Sequence, residues 1–145
     1  MAANEIPDRR EDEARLRDLA HRYARMMDRM SFDDLPTVFS ADGVLSGPGY
    51  EMTGHDQLRA GLQSLDQFSA TLHGVLNTYF EIDGDRASGE VYCVANHVHE
   101  VEGIPFKLDM GIRYRDRYRR VDGRWLIASR ELVLVWEQEL PLRLG

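Results

Sequence analysis

The chain lacks most features that mark secreted or membrane-spanning proteins. Its 145 residues include one cysteine, Cys93, so no disulfide can form within the chain, which is typical of a reducing compartment. No run approaches the roughly 20 apolar residues of a membrane span. The first ten residues have no apolar signal-peptide core. These absences predict a cytoplasmic protein with no membrane partner.

Acidic residues outnumber basic ones, 25 to 18. The formal net charge is −7, which argues against a nucleic-acid partner because such binding depends on the field of the whole protein. Four arginines alternate along one segment and are predicted to share a strand face toward solvent or another subunit; they are Arg113, Arg115, Arg117 and Arg119. The length favours one domain over residues 1–145, with residues 1–8 as a flexible arm.

Helical patterns dominate the first seventy residues. Leu16, Leu19, Tyr23 and Met27 recur at three- and four-residue spacing and predict a helix over residues 9–27. Further elements are predicted as a short helix from Ser31, short strands within residues 41–49 and 50–53, and a third helix over residues 55–65.

After residue 70 the pattern changes to strands. Four segments are predicted, over residues 71–83, 86–101, 104–121 and 124–137, and turn sequences such as Asp83-Gly84-Asp85 and Asp122-Gly123 separate them. Helices followed by an antiparallel meander indicate an α+β fold. A curved antiparallel sheet wrapped over the N-terminal helices would leave one cavity between them.

Polar side chains interrupt the apolar faces of several of these elements. They are Tyr23, Asp28, His73, Asn96 and Arg130. An unpaired buried polar group costs about 1–3 kcal/mol, so we expect these groups to converge in one cavity and satisfy one another. Each taken alone also fits a structural role, such as a core histidine bonded to a backbone carbonyl, or an arginine in a structural ion pair.

Two details of placement follow from the same patterns. Five residues separate Tyr23 from Asp28, about 140° around a helix, so the first helix is predicted to unwind near Met27 or Asp28. Strand alternation places Asn96 inward with its apolar neighbours at even positions.

The same alternation predicts that Cys93, His97 and His99 face outward. The two histidines have no accompanying cysteine or carboxylate set, so no metal site is expected, and nothing in the chain calls for an organic cofactor.

Several short motifs, taken in order, resemble a known family. They are Arg22–Asp28 (RYARMMD), Phe32–Phe39 (FDDLPTVF) followed by Asp42-Gly43, Leu72-His73-Gly74 with Asn77, Asp83–Ala87 (DGDRA), and Tyr114–Tyr118 (YRDRY) ahead of Asp122–Trp125 (DGRW) and Ser129-Arg130. Together they are similar to the SnoaL-like branch of the nuclear-transport-factor-2-like superfamily. The resemblance extends over about residues 11–136 and implies the cone-shaped α+β fold of that group.

Within that superfamily the chain looks most like scytalone dehydratase, bile acid 7α-dehydratase and lindane dehydrochlorinase. The resemblance implies a His–Asp pair that removes a proton without metal or cofactor. Asp28 matches the carboxylate of the first helix and His73 matches the base. Tyr23, Asn96 and Arg130 match or fall near other polar positions of the group.

The function expected from these residues and this resemblance is a cofactor-independent lyase of the dehydratase type. Its substrate would be a hydrophobic, carbonyl-activated small molecule of the steroid or polyketide class. One alternative is an isomerase or cyclase that returns the proton elsewhere, and product analysis would separate it from a lyase. Another is a non-catalytic binding or assembly protein, whose pocket would be filled by side chains and whose His73 would bond only to backbone.

The last strand is apolar on both faces. Val133 and Val135 alternate with Leu134 and Trp136, and a strand of this kind is usually covered on both sides. A single small domain cannot readily cover both, so we expect a homo-oligomer. Relatives in the lyase group are trimers, so the resemblance favours a trimer over a dimer.

Overall fold

The computed structural model describes residues 8–143. The predicted flexible arm lies outside this range except for Asp8. Asp8 is the N-cap of the first helix, where its side chain accepts a hydrogen bond from the backbone N–H of Arg10 at 3.0 Å.

The first helix, α1, is longer than the sequence predicts. It extends from Arg9 to Arg29 and ends at Met30, which adopts the left-handed conformation with φ of 50°. The predicted unwinding near Met27 or Asp28 was therefore wrong. None of the helices in residues 8–143 has the length and apolar character of a membrane span.

Shorter helical segments follow α1 along the chain. They are a 3-10 turn at Phe32–Asp34, α2 at Leu35–Val38, α3 at Gly54–Leu62, and a second 3-10 segment at Gln63–Gln67. Leu58 and Leu62 of α3 are buried, as are Leu35 and Val38 of α2, so both helices turn apolar faces to the core.

Six strands form one curved mixed sheet. They are β1 Phe39–Gly47, β2 Tyr50–Thr53, β3 Ala70–Asp83, β4 Arg86–Val101, β5 Ile104–Val121 and β6 Arg124–Pro141. The order is β2-β1-β6-β5-β4-β3, and β1 pairs with β6 in parallel while the other pairs are antiparallel. The predicted α+β class is confirmed, with one parallel pairing added to the expected antiparallel meander.

A β-bulge in β6 changes which side chains reach the inner face. The register with β5 shifts between Ser129 and Ile127, so Ala128 is the extra residue. Ile127 and Arg130 are both buried, although they have opposite parity. Regular alternation would place Arg130 and Ala128 together on an inward face. Arg130 does point inward, but the bulge separates it from Ala128.

A buried carboxylate at the start of α1 joins this helix to the β3–β4 and β5–β6 hairpins. Asp12 is 3 % exposed and accepts hydrogen bonds from both terminal nitrogens of Arg120, at 2.9 and 3.0 Å, and from Trp125 Nε1 at 2.9 Å. Arg120 also stacks on Trp125, with Cζ 4.5 Å from the ring centroid, and binds Asp85 of the β3–β4 turn. One charged cluster therefore fixes α1 against two hairpins.

This cluster makes stability sensitive to Asp12. Replacing Asp12 with Ala leaves the Arg120 guanidinium without its bidentate partner, and we expect a loss of about 3 kcal/mol in the free energy of unfolding. Urea denaturation measures the change. The exposed Asp18 of the same helix is the matched control, and Asp18→Ala should change stability by no more than about 0.5 kcal/mol. Equal effects of the two substitutions would contradict this role for Asp12.

Candidate functional site

A cavity of about 530 Å³ lies between the inner face of the sheet and the layer formed by α1, α3 and the 3-10 segment that follows α3. Its walls are mostly apolar, and its polar groups are tyrosines, histidines and one serine. The lining residues are Tyr23, Met27, Leu45, Tyr50, Met52, Gly61, Leu62, Ser64, Leu65, Phe68, His73, Ala95, His97, Leu108, Met110, Ile112, Tyr114 and Leu132. None of these carries a carboxylate, ammonium or guanidinium group.

Asp28 and His73 form a short hydrogen-bonded pair. His73 Nδ1 lies 2.6 Å from Asp28 Oδ1, and the His73 backbone N–H donates to Oδ2 at 3.0 Å. Thr71 Oγ1 also donates to Oδ1 at 3.0 Å. The last turn of α1 and the beginning of β3 are thus joined through one carboxylate, and the predicted contact between His73 and Asp28 is present.

The environment of Asp28 favours its ionised form. Burial raises the pKa of this carboxyl, but the hydrogen bonds from His73 and Thr71 outweigh that effect and hold the pKa below its usual value. A negative charge near a helix C-terminus is disfavoured by the helix dipole, and these three donors compensate for it. With a charged acceptor at Nδ1, the neutral imidazole carries its hydrogen on Nδ1, and Nε2 is left as the basic nitrogen.

Tyr23 lines the cavity one and a half turns of α1 before Asp28. It is 3 % exposed, and its ring makes edge-on contacts with Phe39 and Tyr114, whose centroids lie 6.1 and 5.6 Å away. Burial raises the pKa of the Tyr23 phenol to about 12, so its hydroxyl remains a hydrogen-bond donor at neutral pH.

Arg130 is buried behind this wall and does not line the cavity. Its Nε and Nη2 donate to the two oxygens of Asp116 at 2.8 and 2.6 Å, and both side chains are at most 1 % exposed. The guanidinium also stacks on the rings of Tyr23 and Tyr114. Arg130 therefore contacts the cavity wall through Tyr23 and Tyr114.

Of the five predicted residues, Tyr23 and His73 line the cavity, Asp28 and Arg130 contact residues of its wall, and Asn96 lies away from it. Its Nδ2 donates to Asp109 Oδ1 at 2.5 Å on the outer face of the sheet, so the expectation that Asn96 points inward was wrong. The inward residues of β4 are Val91, Cys93, Ala95 and His97, all at odd positions. Alternation alone could not identify the inner face, because both faces of β4 carry apolar residues.

His97 is the site residue that the sequence reasoning placed on the wrong face. It is 6 % exposed, lines the cavity, and its ring centroid lies 5.7 Å from that of His73. Burial lowers the pKa of His97, and the nearby His73 lowers it further, so His97 stays neutral at physiological pH. Its Nδ1 is buried without a hydrogen-bond partner among the described residues, which leaves a polar group to be satisfied at the cavity wall.

Within residues 8–143, no cluster of three or more histidine, cysteine, aspartate or glutamate side chains is arranged to hold a metal ion. Cys93 is buried and lies inward rather than outward as expected. Burial raises the pKa of its thiol to about 11, so it remains protonated.

The hydrogen bonds to Asp28 predict a pH-dependent contribution to stability. Because the pKa of the folded carboxyl is lowered, this contribution is present above the unfolded value of about 3.9 and is lost as the pH falls through the folded value. Wild type should therefore exceed Asp28→Asn in free energy of unfolding at pH 7, and the difference should shrink below about pH 4. Urea titrations at several pH values test this, with the exposed Asp34→Asn as control. A difference that is constant down to pH 2 would contradict it.

The SnoaL-like domain model matches residues 8–131 of the chain. A protein of Mycobacterium tuberculosis is 29% identical over 136 residues, which is 90% of this chain and 87% of that protein. A scytalone-dehydratase-like protein of Novosphingobium aromaticivorans superposes with a TM-score of 0.80 at 21% identity, covering 91% of this chain and 89% of that one. A hexachlorocyclohexane dehydrochlorinase gives 0.81 at 19% identity, with 93% and 91% covered. The domain match covers most of the chain, and the protein belongs to the SnoaL-like family.

Proposed function

We propose that the protein is a cofactor-independent lyase that removes a proton from carbon in a hydrophobic, carbonyl-activated small molecule. The observation that carries this proposal is the His73 imidazole in the wall of a largely apolar cavity, held through Nδ1 by Asp28. Family membership and structural likeness to a dehydratase-like protein and a dehydrochlorinase support the same class of chemistry, although a shared fold alone does not identify a reaction.

The first step is proton transfer to His73. Its Nε2 takes the proton from the carbon next to the substrate carbonyl, and the electrons of the C–H bond move into an enolate. Asp28 holds the ring through Nδ1 and stabilises the imidazolium that forms. The Tyr23 hydroxyl donates to the developing enolate oxygen.

Collapse of the enolate completes the elimination. The electron pair of the enolate forms a carbon–carbon double bond as the carbonyl is restored. The bond to the leaving group breaks, and its electrons remain on that group. A hydroxyl leaving group takes up one proton and departs as water, with the His73 imidazolium as the proton source. His97 lies close enough to position this group, because its ring is adjacent to that of His73.

The lining of the cavity favours an uncharged substrate. It offers no fixed charge to an ionised carboxylate or phosphate, and its methionines and leucines suit a flat or polycyclic hydrocarbon frame. A steroid-like or polyketide-like ketone with a β-hydroxyl group meets these requirements.

An isomerase or cyclase remains the second candidate, because the cavity holds two imidazoles. A proton taken by His73 could be returned at another carbon with the help of His97, whose ring lies 5.7 Å away. The product distinguishes the two, since elimination lowers the mass by that of the leaving group and isomerisation leaves the mass unchanged. A purely structural protein is less well supported, because the cavity is open space and His73 bonds to a carboxylate.

Substitution of the pair tests the proposal. A panel of cyclic β-hydroxyketones is assayed for absorbance of the conjugated enone, with products identified by mass spectrometry. We expect His73→Asn to lower kcat by 10²–10⁴-fold, the range typical of general-base catalysis, and Asp28→Asn to lower it substantially as well.

His21→Asn is the matched control, because His21 is an exposed histidine of α1. It should retain wild-type turnover. Circular dichroism should show that all three variants are folded. Undiminished turnover by His73→Asn would show that His73 is structural and would refute the proposed mechanism.

We further propose that the protein is a homo-oligomer assembled through the outer face of the sheet. Leu72, Leu76, Tyr79 and Trp136 lie on or beside this face and are 45–65 % exposed. Patches of this kind on a small domain mark interaction sites, and a second copy of the chain is the occupant we propose. The resemblance to trimeric lyases favours three subunits.

Light scattering coupled to size-exclusion chromatography tests this assembly. We expect a trimer mass for wild type and a lower mass for the double variant Leu72→Asp with Leu76→Asp. Val121→Asp, which alters an exposed apolar residue at the end of β5, should leave the mass unchanged. A monomer mass for wild type at micromolar concentration would refute the assembly.

A further inference from the structure

Two side chains of β3 converge on a single carboxylate oxygen of α1. Thr71 Oγ1 donates to Asp28 Oδ1 at 3.0 Å, and His73 Nδ1 lies 2.6 Å from the same oxygen. The other oxygen, Oδ2, accepts the backbone N–H of His73 at 3.0 Å. Among residues 8–143, Thr71 is therefore the one donor to Asp28 that does not belong to His73.

Regular strand geometry fixes the distance between the two donors. Thr71 and His73 are two residues apart in β3 and so lie on the same side of the strand. They pair with His97 and Ala95 of β4, and the irregular part of β3 begins only after Val75. The hydroxyl and the imidazole are thus carried on one regular segment, and the carboxylate that binds both has little freedom to rotate.

Several charged or titratable side chains surround this pair, and none of them takes the place of the hydroxyl. They are His21, Arg25 and Arg29 of α1, which border a surface groove beside the pair, Tyr23 of α1 on the cavity side, and His97 of β4, whose ring centroid lies 5.7 Å from that of His73. Within residues 8–143, none of these five forms a hydrogen bond with Asp28. The carboxylate is therefore fixed by the imidazole, a backbone N–H and a neutral hydroxyl.

The pair lies between the groove and the cavity. Asp28 borders the groove but not the cavity, whereas His73 borders both, so the ring presents its other nitrogen, Nε2, to the cavity. Burial raises the pKa of the Asp28 carboxyl, and the hydrogen bonds from His73 and Thr71 lower it below its usual value. The Thr71 hydroxyl thus favours the ionised carboxylate, which binds a hydrogen on Nδ1 and leaves Nε2 free to accept a proton.

We propose that Thr71 is a positioning residue whose hydroxyl holds Asp28 Oδ1 against His73 Nδ1 and so keeps the neutral imidazole in the tautomer that turns a basic Nε2 to the cavity. Thr71 does not line the cavity and acts only through Asp28. Its effect on the rate rests on the proposed function, because that effect requires proton transfer at Nε2. Its effect on the tautomer does not, because the tautomer exists without a substrate.

Nitrogen NMR of the neutral His73 ring tests the placement without a substrate. Thr71→Val removes the hydroxyl but keeps the branched shape and the strand preference of the residue. We expect a smaller fraction of the Nδ1–H tautomer in Thr71→Val than in wild type, and a lesser change in Thr71→Ser, which keeps the hydroxyl. Thr78→Val is the matched control, because Thr78 is a half-buried threonine further along β3, and it should leave the tautomer unchanged.

Steady-state kinetics on a ketone that wild type converts tests the effect on the rate. Thr71→Val should lower kcat about ten-fold, the order expected for loss of a hydrogen bond to a charged group. KM should change little, because Thr71 does not touch the substrate. Thr71→Ser should recover most of the lost kcat, and Thr78→Val should retain wild-type turnover.

The outcomes separate this role from a structural one and from the proposed elimination. An unchanged tautomer in folded Thr71→Val would overturn the proposal, and so would equal changes in Thr71→Val and Thr71→Ser. A shifted tautomer with unchanged kcat, or a raised KM alone, would refute the effect on the rate. Thr71→Ala serves if Thr71→Val does not fold. If wild type converts no ketone, the elimination is refuted, while the NMR comparison still decides whether Thr71 positions the pair.

Discussion

The carboxylate of Asp28 is the junction on which the site depends. It receives hydrogen bonds from the ring and backbone of His73 and from Thr71, so three donors of the edge strand β3 converge on the last turn of α1. The same bonds hold the strand against the helix, orient the imidazole and keep the carboxyl ionised. Structural and chemical roles are therefore combined in one residue, because a charge at a helix C-terminus must be compensated by nearby donors.

Two other aspartates also have their charge compensated by nearby hydrogen-bond donors. Asp12 is satisfied by Arg120 and Trp125, and Asp116 by Arg130 and Tyr118. In each case a buried carboxylate is paired with fixed donors, as burial of a charge requires. The Asp12 cluster stabilises the end of the molecule away from the cavity, whereas the Asp116 cluster lies directly behind its phenol wall.

The composition of the cavity limits its chemistry. An apolar wall strengthens the few hydrogen bonds that the site offers, because little water competes for the donors. Imidazoles that can accept a proton and phenols that can donate hydrogen bonds are among the polar groups of this wall. The two sets of groups face one cavity from different elements, with His73 on β3, Tyr23 on α1 and Tyr114 on β5.

Local sequence patterns determined the elements of this protein. Helical spacing in α1, the turn sequences between the long strands and the alternation of β5 predicted the helices and strands closely, since these signals depend on near neighbours in the chain. The contact between Asp28 and His73 and the inward direction of Arg130 were also predicted. The tertiary structure decided which face of β4 is the inner one, and so placed His97 in the cavity and Asn96 outside it, because both faces of that strand are apolar and only packing against α1 distinguishes them. It also decided that Arg130 binds Asp116 and packs against Tyr23 and Tyr114, because a bulge in β6 is not encoded in local periodicity.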